Sequence, residues 1–242
     1  MVAVPTSPPV VANDPAAHAV LRAAHDAGYR FPAGFAGFAA EVGYRHDVAT
    51  AAGRVAVRAP RDLDLAIALD EADAGWLRQE LASIAGHRWP TAYEAADGRW
   101  TLTLDGAADH PLGQLVLVHD DPFHSSYRVR DGRISQVHRQ MGPTRFTITI
   151  LAHQTTADGR ALPSSFTVAY WDVASGRLTR SDAYSDRYVV ASGMMLPAGR
   201  RVVTFDDGGQ TVRELSLTGH SLFSGPVAAG AHQAERIGTR AG

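Results

Sequence analysis

Histidine and arginine carry most of the chemistry open to this chain, because its sequence contains neither cysteine nor lysine. His138 and Arg139 are neighbours in a stretch that reads as a strand, so their side chains must point to opposite faces. On the face of His138 the alternation places Ile134, Gln136 and Gln140; on that of Arg139 it places Val137 and Met141. An imidazole among glutamines suits a general acid or base near neutral pH. An arginine beside Val and Met suits a clamp for a carboxylate or phosphate. A solvent-facing pair on an outer sheet surface is the plain alternative. His153 ends the next strand-like stretch with the parity of Arg145, Thr147 and Thr149, so Arg145 and His153 meet one polar ligand group if that face is interior. The expected catalytic groups are therefore His138 and His153. The expected ligand-binding groups are Arg139, Arg145, His87, Arg88 and Tyr170.

His87 and Arg88 follow a helical stretch, where they either complement the helix C-terminus or stand at the mouth of a cavity. Trp89 and Tyr93 beside them suit a ligand rim or a helix–sheet junction. His119 and His124 flank Asp120-Asp121-Pro122-Phe123 and are the weak candidates for a metal. Their spacing matches no established ligand motif, and Asp-Asp-Pro is an ordinary turn signal. Neither metal nor cofactor is expected.

Other chemistries are excluded by what is missing. Without cysteine there are no disulfides, thiolate metal sites or thiol nucleophiles. All 23 basic residues are arginine, which excludes a lysine Schiff base and a Walker-type phosphate loop. No Gly-x-Ser-x-Gly elbow marks a serine nucleophile. The glycines from Gly193 to Gly199 and at Gly208-Gly209 lack the strand–glycine–helix context of nucleotide binding. A net charge of -2 and no basic, aromatic-interleaved patch argue against nucleic acid. No stretch approaches the ~18 continuous apolar residues of a membrane span. Met1 to Asn13 does not read as a signal peptide, so the expected compartment is the cytoplasm. The oligomeric state is not encoded in any of these features.

The elements that must hold these residues follow from periodicity. Asn13-Asp14-Pro15 signals a helix start, with Val20, Leu21 and Ala24 on one stripe before Gly28. A second helix is expected from about Asp70 to Ala85, with Trp76, Leu77, Leu81 and Ile84 at helical spacing. Three alternating stretches lie between the helices, and from Arg99 onward nearly everything alternates. Asp131-Gly132 is the strongest hairpin signal, and Met194 to Pro197 reads as an apolar lip or a packed loop. Two helices and roughly ten antiparallel strands predict an α+β fold: one large sheet curled into a half-barrel, its helices against the concave face or mouth. Residues 14–223 are expected to form one domain between flexible tails, 1–13 and 224–242. A division near Asp105 to Pro111 is the alternative.

The order of these features resembles the periplasmic lipoprotein-carrier fold: a helix, Phe35 and Phe38 leading into the first strand, a Gly53-Val55-Val57 strand, a turn at Pro60, a Leu strand and a helix. It is similar, more specifically, to an uncharacterised domain-of-unknown-function family with cyanobacterial and plant members. In that family a helix ends in His-Arg, matched by His87-Arg88. A central strand carries Val-His-Arg, matched by Val137-His138-Arg139, and a Thr-Ile strand ends in histidine, matched by Thr147 to Ile150 and His153. Gln140 departs from an expected histidine, and Tyr170-Trp171 from an expected His-Asp. The resemblance implies a lipophilic cavity. Three functions follow as expectations: binding of a hydrophobic or amphipathic small molecule; a cofactor-independent isomerase, cyclase or dehydratase in the same cavity; or a histidine-ligated metal enzyme.

Overall fold

The computed structural model describes residues 11–224; the remainder of the tails expected at either end lies outside the described residues. The first helix, α1 (Pro15–Ala27), starts where Asp14 accepts the Ala16 N–H at 2.8 Å, with proline in its first turn. Its apolar stripe, Ala17, Leu21 and Ala24, is fully buried. The second, α2 (Glu71–Gly86), is capped by Asp70, which accepts the Asp73 N–H at 2.8 Å, and has acidic residues in its first turn. Asn13 is tied down, since its side chain accepts the Leu102 N–H at 2.9 Å.

Twelve strands make one antiparallel sheet: β1 (Phe38–His46), β2 (Ala49–Ala59), β3 (Asp62–Ile67), β4 (Thr101–Asp105), β5 (Gln114–His119), β6 (Ser126–Arg130), β7 (Arg133–Met141), β8 (Thr144–Thr155), β9 (Ala161–Asp172), β10 (Leu178–Ala191), β11 (Met194–Asp206) and β12 (Gly209–Leu222). Their order is β3-β2-β1-β12-β11-β10-β9-β8-β7-β6-β5-β4, so neighbours in sequence pair except β3 and β4, and β12 returns to pair with β1. β3 and β4 are the two edges, and the sheet does not close.

Both helices lie on one face, and the reach of α2 requires that face to be concave. Its side chains meet β2 and β3, Tyr44 on β1 through Trp76, Arg213 on β12 through Asp73, and Arg200 on β11 through Glu80. Five strands laid flat would span roughly 19 Å at ~4.8 Å spacing, well over the width of a helix. The sheet therefore curls around α2. On the other half of the sheet, α1 packs its stripe against Leu102, Val116, Val118, Tyr127 and Val129. The result is the expected α+β half-barrel, with helices on the concave face.

The structure departs from the sequence reading in three places. Met194 to Pro197 is neither lip nor loop: it opens β11, with Met195, Leu196 and Pro197 buried, beyond a tight turn in which Ser192 and Gly193 both have positive φ (50° and 76°). Alternation alone suggests two strands, Arg177 to Tyr184 and Tyr188 to Ala191; they are one, β10, continuous through a register shift at Arg187. In β7 the partners jump from Gln136 to Ile134, leaving Ser135 as an extra residue. That bulge moves Ile134 off the face of His138 and into the inner cluster with Val137.

Candidate functional site

The concave face between the two helices is lined by β8 and β9. Register puts Phe146 opposite Tyr170, Ile148 opposite Val168, and Ile150 opposite Phe166. These side chains form one apolar face with Tyr184 and Val202 of β10 and β11, and Phe166 stacks on Tyr184 at 4.5 Å. Val168, Tyr184 and Val202 are buried, whereas Phe146, Ile148, Ile150, Phe166 and Tyr170 keep part of their surface open. The principal helix contacts fall to either side: α1 lies on β4, β6 and β7, and α2 on β2 and β3. An open, aromatic-rich trough remains.

Besides Arg180, which pairs with Asp182, three cationic or imidazole groups stand over this trough. Arg139 extends β7 on the face of Val137; its Nη2 donates to the Tyr127 hydroxyl at 2.8 Å, and that hydroxyl donates to Asp97 at 2.9 Å. Arg88, just past α2, is 4 % exposed; it donates to the Ile84 carbonyl at 2.9 Å and to the Tyr188 hydroxyl, whose ring its guanidinium faces at 4.8 Å. Neither arginine has a carboxylate within salt-bridge distance among the described residues, and the Nε of each is buried without a partner. His87 is exposed to solvent yet walled by protein. Burial first, then the charges of Arg88, Arg200 and Arg139, hold its pKa well below the usual imidazole value. It stays neutral at pH 7, although a hydrogen bond to the Ser83 backbone works against the shift.

Beneath Arg88 lies a buried ionic cluster. Arg200 makes a two-pronged contact with Asp186, both distances 2.7 Å, and reaches Glu80 of α2 at 2.7 Å. Its guanidinium faces the rings of Tyr184 at 5.1 Å and Phe166 at 5.6 Å. Tyr188 links the cluster to Arg88, donating to the Pro163 carbonyl at 2.9 Å with Asp186 at 3.2 Å. Burial raises the Glu80 pKa, and Arg200 works against that shift. The sequence reading missed Arg200, Glu80, Asp186 and Tyr188. The only signal was the period-two spacing of Asp182, Tyr184, Asp186 and Tyr188, which also fits a solvent-facing strand.

Of the other expected residues, Tyr170 lines the trough and the rest lie elsewhere. His138 faces the convex surface, opposite Ser126 and Thr147, and its Nδ1 is 2.9 Å from the Thr147 hydroxyl. Burial and then the Arg145 charge lower its pKa. Arg145 is exposed on that same surface, facing Trp171 at 5.3 Å. A bulge at Leu151 takes His153 out of the alternation that runs from Arg145 to Thr149, and His153 pairs with Pro163. Tyr170 lies in the trough beneath Arg180, whose guanidinium faces its ring at 4.0 Å. His119 bonds the Thr103 hydroxyl at 2.9 Å, and His124 is an exposed loop residue with φ 46°. No three His, Asp or Glu side chains converge as metal ligands among the described residues. A separate cleft of about 430 Å³ opens beside the end of α1, lined by Arg22, His25, Arg30, Tyr93 and Arg160. None of its lining residues belongs to the trough, which is an open face and not an enclosed cavity.

The geometry defines a class: an open antiparallel half-barrel wrapped around two helices, with cations standing over a partly open apolar inner face. Within it, the chain belongs to the family described as protein of unknown function (DUF3386), whose model matches residues 12–223. A search of the curated proteins found no match. Among solved structures, the chain is similar to a LolA superfamily protein, NE2245 from Nitrosomonas europaea, with 15% identity and a TM-score of 0.36 over 87% of this chain and 94% of that one. It is also similar to a chain in the MucA/MucB complex of Pseudomonas aeruginosa, with 15% identity and a TM-score of 0.22 over 84% of this chain and 94% of that one. No helix among the described residues is long and apolar enough to cross a membrane.

Proposed function

We propose that this protein binds a hydrophobic molecule with an anionic head. The tail lies along the inner faces of β8 and β9, and the head sits among Arg88, Arg139 and His87. One observation carries this reading: two arginines without carboxylate partners flank a neutral, accessible imidazole over a strip of half-open aromatic and aliphatic side chains. Arg88 is a buried cation that reaches a carboxylate, Asp186, only through the Tyr188 hydroxyl, and an anionic guest would supply a direct partner. Covering each half-open Phe or Ile would contribute on the order of 1 kcal/mol. Ligand sites commonly take this form, an apolar wall with a few oriented polar groups. A catalytic reading lacks comparable support, since His138 is engaged by Thr147 on the far face of the sheet.

Paired titrations test the proposal, one with the anionic probe anilinonaphthalene sulfonate and one with neutral Nile red. Arg139→Met should weaken the anionic probe about tenfold, as expected for loss of one charge-assisted contact, and leave the neutral probe within about twofold. Equal affinity of both forms for the anionic probe, with the fold intact by circular dichroism, would overturn the assignment of the head site.

A further inference from the structure

Alternation of the strands sends five hairpins to one rim of the half-barrel: β1–β2, β5–β6, β7–β8, β9–β10 and β11–β12. Each carries an exposed large apolar side chain at or beside its tip. They are Val48, Phe123, Met141, Val173 with Leu178, and Phe205, in that order, and Val48 is 97% exposed. The opposite rim also has five hairpins, but only one, at Ser192-Gly193, has such residues within three positions of its turn, Val189 and Val190; Leu151, also exposed, lies four residues short of the end of β8. Isolated apolar residues on a surface need no explanation. Recurrence at every hairpin of one rim, and at a single hairpin of the other, does.

The spacing indicates what these tips meet. Neighbouring hairpins stand about 10 Å apart, two strand widths, so their apolar tips form a dotted arc and not one compact patch. A globular partner would cover two or three of them; a flat, deformable apolar layer receives all five at once. Exposed charges at the same tips balance, with Asp47, Asp120, Asp206 and Asp207 against Arg45, Arg145, Arg177 and Arg180. Electrostatic attraction to an anionic surface is therefore not the driving term. We propose that this rim docks on a lipid bilayer by shallow insertion of the five hairpin tips, without preference for anionic lipid. The docking is independent of what the trough holds.

Co-flotation of the full chain with phosphatidylcholine vesicles tests it. The wild type is expected to float, with binding changed by less than about twofold when a fifth of the lipid is phosphatidylserine or the salt is raised. The triple variant Val48→Ser, Leu178→Ser and Phe205→Ser should lose about tenfold or more in partitioning, because interfacial binding scales with inserted apolar area. Val190→Ser on the opposite rim should bind as the wild type does. All three substituted positions are exposed, so circular dichroism should be unchanged, and Nile red binding in the trough should persist. No flotation of the wild type, equal flotation of the triple variant, or a solution dimer that the triple variant dissolves would each overturn the proposal. Retention of Nile red in any of these outcomes would leave the trough reading standing.

Discussion

Arg200 shows how a single side chain joins a helix to a curled sheet. It is 2% exposed and bridges Glu80 on α2 to Asp186 on β10. Replacing it with methionine would leave two buried carboxylates without a cation, and removal of one partner from such a pair costs about 3–5 kcal/mol. Urea denaturation of Arg200→Met should therefore show a marked fall in midpoint. His87 makes a second prediction, in acid. Its folded pKa lies below the ordinary 6.5, so the unfolded chain binds the proton first, and the stability this group contributes is lost as pH falls below 6.5. His138 and His153 are shifted in the same direction. Stability measured between pH 6.5 and 5 should decline in the wild type and decline less steeply in His87→Gln. At this scale the sequence was only partly informative. The adjacency of His138 and Arg139 established that one of them faces inward, but parity alone does not say which. The acids that meet Arg200 lie 14 and 120 residues away from it, and local pattern is blind to such distances.

The elements were more legible, because each is written locally. The cap at Asp14 with Pro15, the stripe of α1 and the two-residue turn at Asp131-Gly132, with φ of 51° and 68°, can all be read from neighbouring residues. Bulges were not legible. Nothing in the composition of Ser135 or Leu151 announces that it lies outside the ladder, yet each resets which face the following residues occupy. That is why Ile134 and His153 were assigned to the wrong parity by simple alternation. The Ser192-Gly193 turn was missed because serine is a poor marker of positive φ. Asparagine tolerates that conformation better. Ser192→Asn should therefore raise stability by about 0.5 kcal/mol, read as a small upward shift of the thermal midpoint.

In the whole molecule, two large clusters occupy the two halves of the sheet: one under α2 containing Leu81, the other under α1 containing Leu21. The strands between them belong to one uninterrupted ladder, which favours reading residues 14–223 as a single cooperative unit. Leu21→Ala and Leu81→Ala should each cost about 2–5 kcal/mol, and each should lower the same calorimetric transition. Two separate transitions, one answering to each variant, would instead mark two domains.

The free edges of β3 and β4 have a mechanical consequence. In a sealed cylinder, strand number and stagger fix the girth, and widening it means breaking ladder bonds. Here the seam was never stitched, so the wall can flex outward by a small change in twist while every rung stays made. Were a guest held as proposed above, its length or branching would register as a change in the gap between the two free margins.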